Sequence, residues 1–147
     1  KAVDLLDGVE FYVAANKQPN SKTAYYLGWT NEVAALLAET DIVIGTGRSI
    51  IEGLACGNAA IILGQTCQGI LTPEKVARQK HLDISGLVGS EPCYKNIFYE
   101  LAKLTQNQLY LKQLQQYGRK LAEEKFDNAV LTGRTIELYE KALGGGL

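Results

Sequence analysis

The 147-residue sequence has no methionine, one histidine and three widely separated cysteines, Cys56, Cys67 and Cys93. No CxxC pair and no His/Asp/Glu group with the spacing of metal ligands is present, which argues against a zinc site or a redox dithiol. The net charge of −1 provides no basic surface for nucleic acid or an anionic membrane. No apolar run approaches the roughly 20 residues that a bilayer requires. The cysteines are typical of reduced, mostly buried thiols in a cytoplasmic protein.

The length and composition indicate how many domains the chain forms. A chain of 147 residues with 46% hydrophobic residues predicts a single domain with a substantial core. The sequence lacks methionine and closes on the stretch "GGGL". These features predict that the chain is a piece of a larger protein.

Strand and helix patterns alternate along the first 90 residues. The patterns predict a short helix up to Gly8, strands at 9–15, 24–29, 41–45, 59–64 and 69–72, and helices at 32–39, 49–56 and 73–80. Beyond Ser90, three amphipathic helices are predicted at 92–105, 107–125 and 128–143. This order predicts an α/β fold with a Rossmann-like, mostly parallel sheet, helices on both faces and a helical C-terminal end.

The stretch "TGRSIIEGLACG" connects the apolar strand 41–45 to a helix. In open parallel sheets, ligands bind beyond the carboxyl ends of the strands, which is where this turn lies. Gly45 and Gly47 allow close approach of the backbone, and the N–H groups at the start of the helix favour an anion. Arg48 adds a charge suited to phosphate oxygens. The turn matches neither a Walker loop nor GxGxxG.

Glu52 has two interpretations from the residues alone. Ser49 and Glu52 have the spacing of a capping box, in which the glutamate bonds back to the serine amide. Alternatively, the carboxylate points outward and accepts hydrogen bonds from a ligand. The local pattern favours the capping box.

Two further residues carry weaker signals. Trp29 follows a strand end at Gly28, where core packing is favoured over a wall beside a nucleotide base. His81 lies after a helix and is not part of a serine or cysteine arrangement that would mark a triad. We therefore expect His81 to be a structural residue at or near the surface.

The stretch "LGWTNEVAALLAETDIVIGTGRSIIEGLACGNAAIILG", followed by "GILTPEK", resembles a known family. It is similar to the C-terminal, nucleotide-sugar-binding domain of retaining glycosyltransferases with the two-domain GT-B fold. The closing "EEKFDNAVLTGRTIELYEKAL" resembles the last helices of that family, so the resemblance covers about residues 25–143. Matching positions, in order, are Gly28, Trp29, Asp41, Glu52, Ala55, Gly57, Thr72, Pro73 and Glu74.

The resemblance implies a donor-binding domain over residues 1–147 that takes a nucleoside-diphosphate sugar and passes the sugar to an acceptor. Glu52 would accept hydrogen bonds from the ribose hydroxyls. The resemblance places the following residues near the donor: Gly28, Trp29 and Thr30 at the base, Thr46, Gly47, Arg48 and Ser49 at the diphosphate and sugar, and Leu71 and Thr72 at the pocket border. It implies no cofactor, no metal and no nucleic-acid partner, and it assigns the acceptor, a carbohydrate or glycolipid, to an N-terminal domain.

Two departures from the family keep other functions open. Many members have a second glutamate eight residues before the one matched by Glu52, and this chain has Ile44 there. The family's first strand, central in its sheet, and the basic pair that follows it have no counterpart among these residues. The alternatives are a nucleotide-sugar epimerase or phosphorylase on the same fold, or a degenerate, non-catalytic domain kept for assembly or regulation.

Overall fold

A computed structural model describes residues 1–144 of the chain. Its elements, in chain order, are a short 3-10 helix (Val3–Leu5), β1 (Phe11–Ala14), β2 (Ala24–Gly28), α1 (Val33–Ala38), β3 (Ile42–Gly45), α2 (Arg48–Ala55), β4 (Ala59–Leu63), β5 (Cys67–Ile70), α3 (Pro73–Ala77), α4 (Tyr94–Thr105), α5 (Gln108–Phe126) and α6 (Asn128–Gly144). The α/β class and the helical C-terminal end are confirmed.

The first sheet is the parallel pair β1 and β2, which a loop without a helix connects. The Tyr12 and Tyr25 rings, directly opposite each other in the register, stack with their centroids 5.2 Å apart. Asp4, on the 3-10 helix, accepts hydrogen bonds from the Ser21 hydroxyl at 2.5 Å and the Lys22 amide at 2.9 Å. Polar contacts therefore tie the loop before β2 to the beginning of the chain.

The second sheet has the order β3-β4-β5 and carries the core. β3 runs parallel to β4 with Ile42 opposite Ala59, whereas β5 returns antiparallel with Ile70 opposite Ile61. The first four residues of β4 are buried, as expected for a central strand covered on both faces.

Helices cover both faces of β4. On one face, Ala60 and Ile62 pack in a cluster with residues of α1, α2 and the C-terminal half of α5. On the other face, Ala59 and Ile61 pack with residues of α4, β5 and the N-terminal half of α5. The 19-residue helix α5 thus contributes to both clusters.

The sheet arrangement differs from the prediction of one mostly parallel sheet. The described residues form two sheets, because the strand pairing connects neither β1 nor β2 to β3. The second sheet is mixed, because β5 follows β4 through a tight turn and runs back beside it. None of the described helices is long and apolar enough to cross a membrane.

Element boundaries agree with the sequence prediction within two residues for most elements, and four differences are described here. The helix predicted at 49–56 begins one residue earlier, at Arg48. The helix predicted to reach about Lys80 ends at Ala77, and the strand predicted at 69–72 is β5, Cys67–Ile70. The stretch predicted to be helical up to Gly8 forms only the 3-10 helix Val3–Leu5.

Candidate functional site

The candidate site is the turn of residues 45–49, which leaves β3 and enters α2. Gly47 has a φ of +55° and is the N-cap of α2, a backbone conformation that residues with a side chain rarely adopt. Its amide donates to the carbonyl of Ile84 at 2.8 Å. The glycine is therefore required by the geometry of the turn, and its own N–H group already has a partner.

The first turn of α2 leaves two amides available. The amides of Ile50 and Ile51 donate to the Gly47 carbonyl at 3.1 and 3.2 Å. Between residues 1 and 144, no hydrogen-bond partner is found for the amides of Arg48 and Ser49. These two N–H groups carry the partial positive charge of a helix N-terminus and suit an anionic ligand.

The predicted capping box is wrong. Ser49 lies inside α2 rather than at its N-cap, and its hydroxyl donates to the Thr46 carbonyl at 2.9 Å. The Glu52 carboxylate does not reach back to the Ser49 amide. The prediction fails because the N-cap of α2 is Gly47, two residues before Ser49.

Glu52 pairs with Arg48 instead, an arrangement that neither interpretation of the sequence included. Its Oε1 atom lies 2.9 Å from the Arg48 guanidinium, one helical turn away. The Arg48 side chain is 91% exposed and that of Glu52 39% exposed. Such solvent-exposed pairs are weak, so a ligand that offers hydroxyl donors to Glu52 and phosphate oxygens to Arg48 can replace the contact.

The base-side residues Gly28, Trp29 and Thr30 lie at the end of β2, in the other sheet. The prediction that Trp29 packs in the core is wrong, because its side chain is 78% exposed. The Thr30 hydroxyl accepts from the Glu32 amide at 3.1 Å, just before α1. No hydrogen bond or ion pair between described residues connects these three positions with the 45–49 turn.

The predicted pocket-border residues have mainly structural contacts. Leu71 is buried in the core cluster formed with α2 and α5. Thr72 is the N-cap of α3, where its hydroxyl accepts from the Lys75 amide at 3.3 Å, and Pro73 occupies the first helical turn. The predicted helix start is confirmed.

A segment that the sequence did not indicate lies against the turn. The Ile84 carbonyl accepts from Gly47, and both the amide and the hydroxyl of Thr66 donate to the Gly86 carbonyl, at 2.9 and 3.1 Å. Asp83 shapes this segment by accepting from the Ser85 amide at 2.8 Å, and the Ser85 hydrogen bonds lower the pKa of Asp83. The 84–86 segment therefore fixes one side of the turn.

Two cavities among the described residues lie away from the 45–49 turn. One, of about 260 Å³, is lined by Ile51 and Ala55 of α2 and by Arg119 and Phe126 of α5, among others. The second, also about 260 Å³, lies between Leu5 and the start of α4. Neither is lined by Arg48 or Glu52, whose side chains face solvent at the head of α2.

The remaining reactive side chains are dispersed. Of the three cysteines, Cys67 is buried, Cys56 half-buried and Cys93 exposed, so the prediction of mostly buried thiols holds only for Cys67. His81 is exposed, as expected for a surface residue. Across residues 1–144, no three His, Cys, Asp or Glu side chains group in a way that could hold a metal ion.

Comparisons of the chain with protein-family models, with curated proteins and with solved structures find no match.

Proposed function

We propose that this chain is the donor-binding domain of a retaining glycosyltransferase of the GT-B type, which binds a nucleoside-diphosphate sugar. One observation carries the proposal. A carboxylate and a guanidinium, Glu52 and Arg48, stand at the head of α2 beside two amides without partners. All of them lie beyond the carboxyl end of β3, the position where parallel strand pairs place ligands.

Each group has a chemical role in this proposal. The Glu52 carboxylate accepts hydrogen bonds from the two ribose hydroxyls, once it leaves Arg48. Arg48 and the amides of Arg48 and Ser49 stabilise the charge that develops on the departing diphosphate. The exposed ring of Trp29 offers an apolar surface to the base. The sugar acceptor would bind a separate N-terminal domain, in a cytoplasmic enzyme.

The proposal extends to the sheet. In doubly wound sheets, a central strand separates the two halves of the strand order. β1 and β3 each have a neighbour on one side only. β3 is a continuous apolar strand of the type that is covered on both faces, and only one of its edges is paired. We propose that a parallel strand lies between β1 and β3 in the complete Rossmann-like domain.

The decisive experiment is calorimetric titration with uridine and guanosine diphosphates. We expect one of them to bind the wild-type chain. Glu52→Gln should weaken that binding by about 1–3 kcal/mol, because an NH2 donor replaces one of the two oxygens that accept from the ribose hydroxyls. Glu123→Gln is the matched control, since Glu123 pairs with Arg119 in the same i,i+4 geometry on an exposed face of α5. Equal losses in both variants, or no binding by the wild type, would contradict the proposal.

A degenerate domain that serves in assembly is the second candidate. It is favoured by Ile44, whose partly buried side chain packs in the core where the family often has a glutamate. The Arg48–Glu52 ion pair also favours this candidate, because each charged group already has a partner of opposite charge. An absence of nucleotide binding in the titration, with the fold intact by circular dichroism, would favour this candidate.

A further inference from the structure

The methyl group of Thr46 occupies a narrow space between two glycines. A methyl group added at Gly64 would lie 2.8 Å from the Thr46 Cγ2 atom, and one added at Gly86 would also overlap Cγ2. Gly64 follows β4, whereas Gly86 belongs to the 84–86 segment. Three separate parts of the chain therefore meet at one methyl group beside the candidate site.

Hydrogen bonds hold these three parts together around that contact. Thr66 donates to the Gly86 carbonyl and accepts from the Gly64 amide, so the turn after β4 and the 84–86 segment are joined. The Gly47 amide donates to Ile84, which joins the segment to the 45–49 turn. The methyl group of Thr46 fills the centre of this arrangement.

The two halves of the Thr46 side chain differ in their contacts. Cγ2 is packed on both sides, whereas the hydroxyl has no hydrogen-bond partner within residues 1–144. A direct ligand contact would use the hydroxyl. Positioning of the turn would use the methyl group.

We propose that Thr46 is a positioning residue, which acts on the donor diphosphate through the turn that it holds. Its methyl group fixes the turn against Gly64 and Gly86. The turn then presents the amides of Arg48 and Ser49 in a constant direction. This favours binding because the turn is already ordered and loses little conformational entropy when the ligand binds. The identity of the ligand rests on the proposed function. The packing of Thr46 against Gly64 and Gly86 is independent of that function.

Two variants separate the methyl group from the hydroxyl. Thr46→Val keeps the methyl group, and Thr46→Ser keeps the hydroxyl. Hydrogen exchange by NMR reports the order of the turn without ligand, because the Gly47 amide is protected by its bond to Ile84. We expect exchange at Gly47 to be about fourfold faster in Thr46→Ser, the factor that corresponds to ~0.8 kcal/mol for one buried methyl group. Thr46→Val should match the wild type.

Nucleoside-diphosphate titration of the same variants provides the second measurement. Weaker binding in Thr46→Ser with wild-type binding in Thr46→Val supports the inference. Loss of binding in Thr46→Val alone assigns a direct contact to the hydroxyl and overturns it. Equal Gly47 exchange in all three proteins overturns it as well. If no nucleotide binds but exchange follows the methyl group, the proposed function fails while the positioning of the turn stands.

A substitution at the other side of the contact gives an independent test. Gly64→Ala forces Thr46 Cγ2 to move and should accelerate Gly47 exchange, even though Gly64 is on the surface. Gly133→Ala is the control, because an added methyl group there, on exposed α6, has no atom within 4 Å. Unchanged exchange in Gly64→Ala would contradict the positioning role.

Discussion

The two sheets of this chain are stabilised by different means. The β3–β4–β5 sheet is enclosed by helices, and residues such as Ile50, Ile61 and Leu104 have no exposed surface. In the β1–β2 sheet, Tyr25 is 54% and Leu27 44% exposed. Apolar packing holds the first of these regions, whereas strand pairing, one aromatic stack and the hydrogen bonds of Asp4 hold the second.

The difference shows that regular strand pairing does not require burial. A parallel pair is ordinarily covered on both faces, and an isolated two-stranded sheet is only marginally stable. We therefore expect the β1–β2 sheet to open at a lower free energy than the β3–β4–β5 sheet, in the manner of local unfolding units.

A cavity in the enclosed sheet should have the largest effect. Ile61→Ala removes a side chain with no exposed surface and should lower the free energy of unfolding by about 2–5 kcal/mol. Leu27→Ala, in the exposed sheet, should cost less than about 1 kcal/mol. Urea denaturation followed by circular dichroism measures both. Equal losses would mean that Leu27 is packed as tightly as Ile61, which would contradict the contrast between the two sheets.

The buried amide of Asn58 should have the next largest effect. Its Nδ2 group donates to the carbonyls of Leu37 and Gly53, at 2.7 and 3.2 Å, and its Oδ1 accepts from Thr40 at 2.9 Å. Asn58→Ala removes three hydrogen bonds at a fully buried position, although the Leu37 and Gly53 carbonyls keep backbone partners, and should cost about 2–3 kcal/mol in thermal or urea unfolding.

Asn107 provides the control for that substitution. It is the N-cap of α5, where its side chain accepts from the Tyr110 amide at 3.0 Å. Asn107→Ala should cost about 1 kcal/mol, because an exposed cap can be replaced by water. A cost for Asn58→Ala no larger than that for Asn107→Ala would show that the buried hydrogen bonds of Asn58 contribute no more than an exposed cap.

Acid should loosen the exposed sheet first. The hydrogen bond from Ser21 holds the pKa of Asp4 far below its ordinary value of 3.8, and the Lys22 amide adds to the effect. A lowered pKa means that Asp4 contributes stability above about pH 4 and loses it as the pH falls through the folded-state pKa. Hydrogen exchange at Lys22 and Thr23 should therefore accelerate in strong acid before exchange in β4 does.

Asp4→Ala should reproduce the acid effect at neutral pH, with faster exchange at Lys22 and Thr23. Asp7→Ala, at an exposed position nearby, should leave both amides unchanged. If Asp4→Ala leaves them unchanged as well, the Asp4 contacts do not hold the loop before β2.

A substitution in α6 should have the smallest effect. Leu138 is 67% exposed, and no residue of α6 is buried. Leu138→Ser should change the free energy of unfolding by no more than about 0.5 kcal/mol. A larger loss in denaturation would mean that α6 is packed against another surface in solution.

Local patterns were sufficient to predict most elements. The strands and the long helices were found from periodicity, and Thr72 with Pro73 identified a helix start from chemistry that lies within four residues. The division into two sheets could not be predicted in the same way. Strand neighbours and the antiparallel return of β5 depend on contacts between distant residues, which periodicity does not encode.

The candidate site was predicted only in its outline. The turn, the helix behind it and the positions of Arg48 and Glu52 followed from the sequence. The ion pair between them did not, because the capping box required Ser49 to be the N-cap, whereas the N-cap of α2 lies two residues earlier, at Gly47. The contact of Thr46 with Gly64 and Gly86 was missed, since these residues are 18 and 40 positions away along the chain.

The packing of helix α5 in both core clusters has a consequence for unfolding. Leu111 and Leu114 near its start belong to the cluster on one face of β4, and Leu121 and Ala122 near its end belong to the cluster on the other. Because one helix packs in both clusters, detachment of α5 would remove contacts from both faces of β4. A substitution that displaces α5 should therefore disturb the packing on both faces of β4.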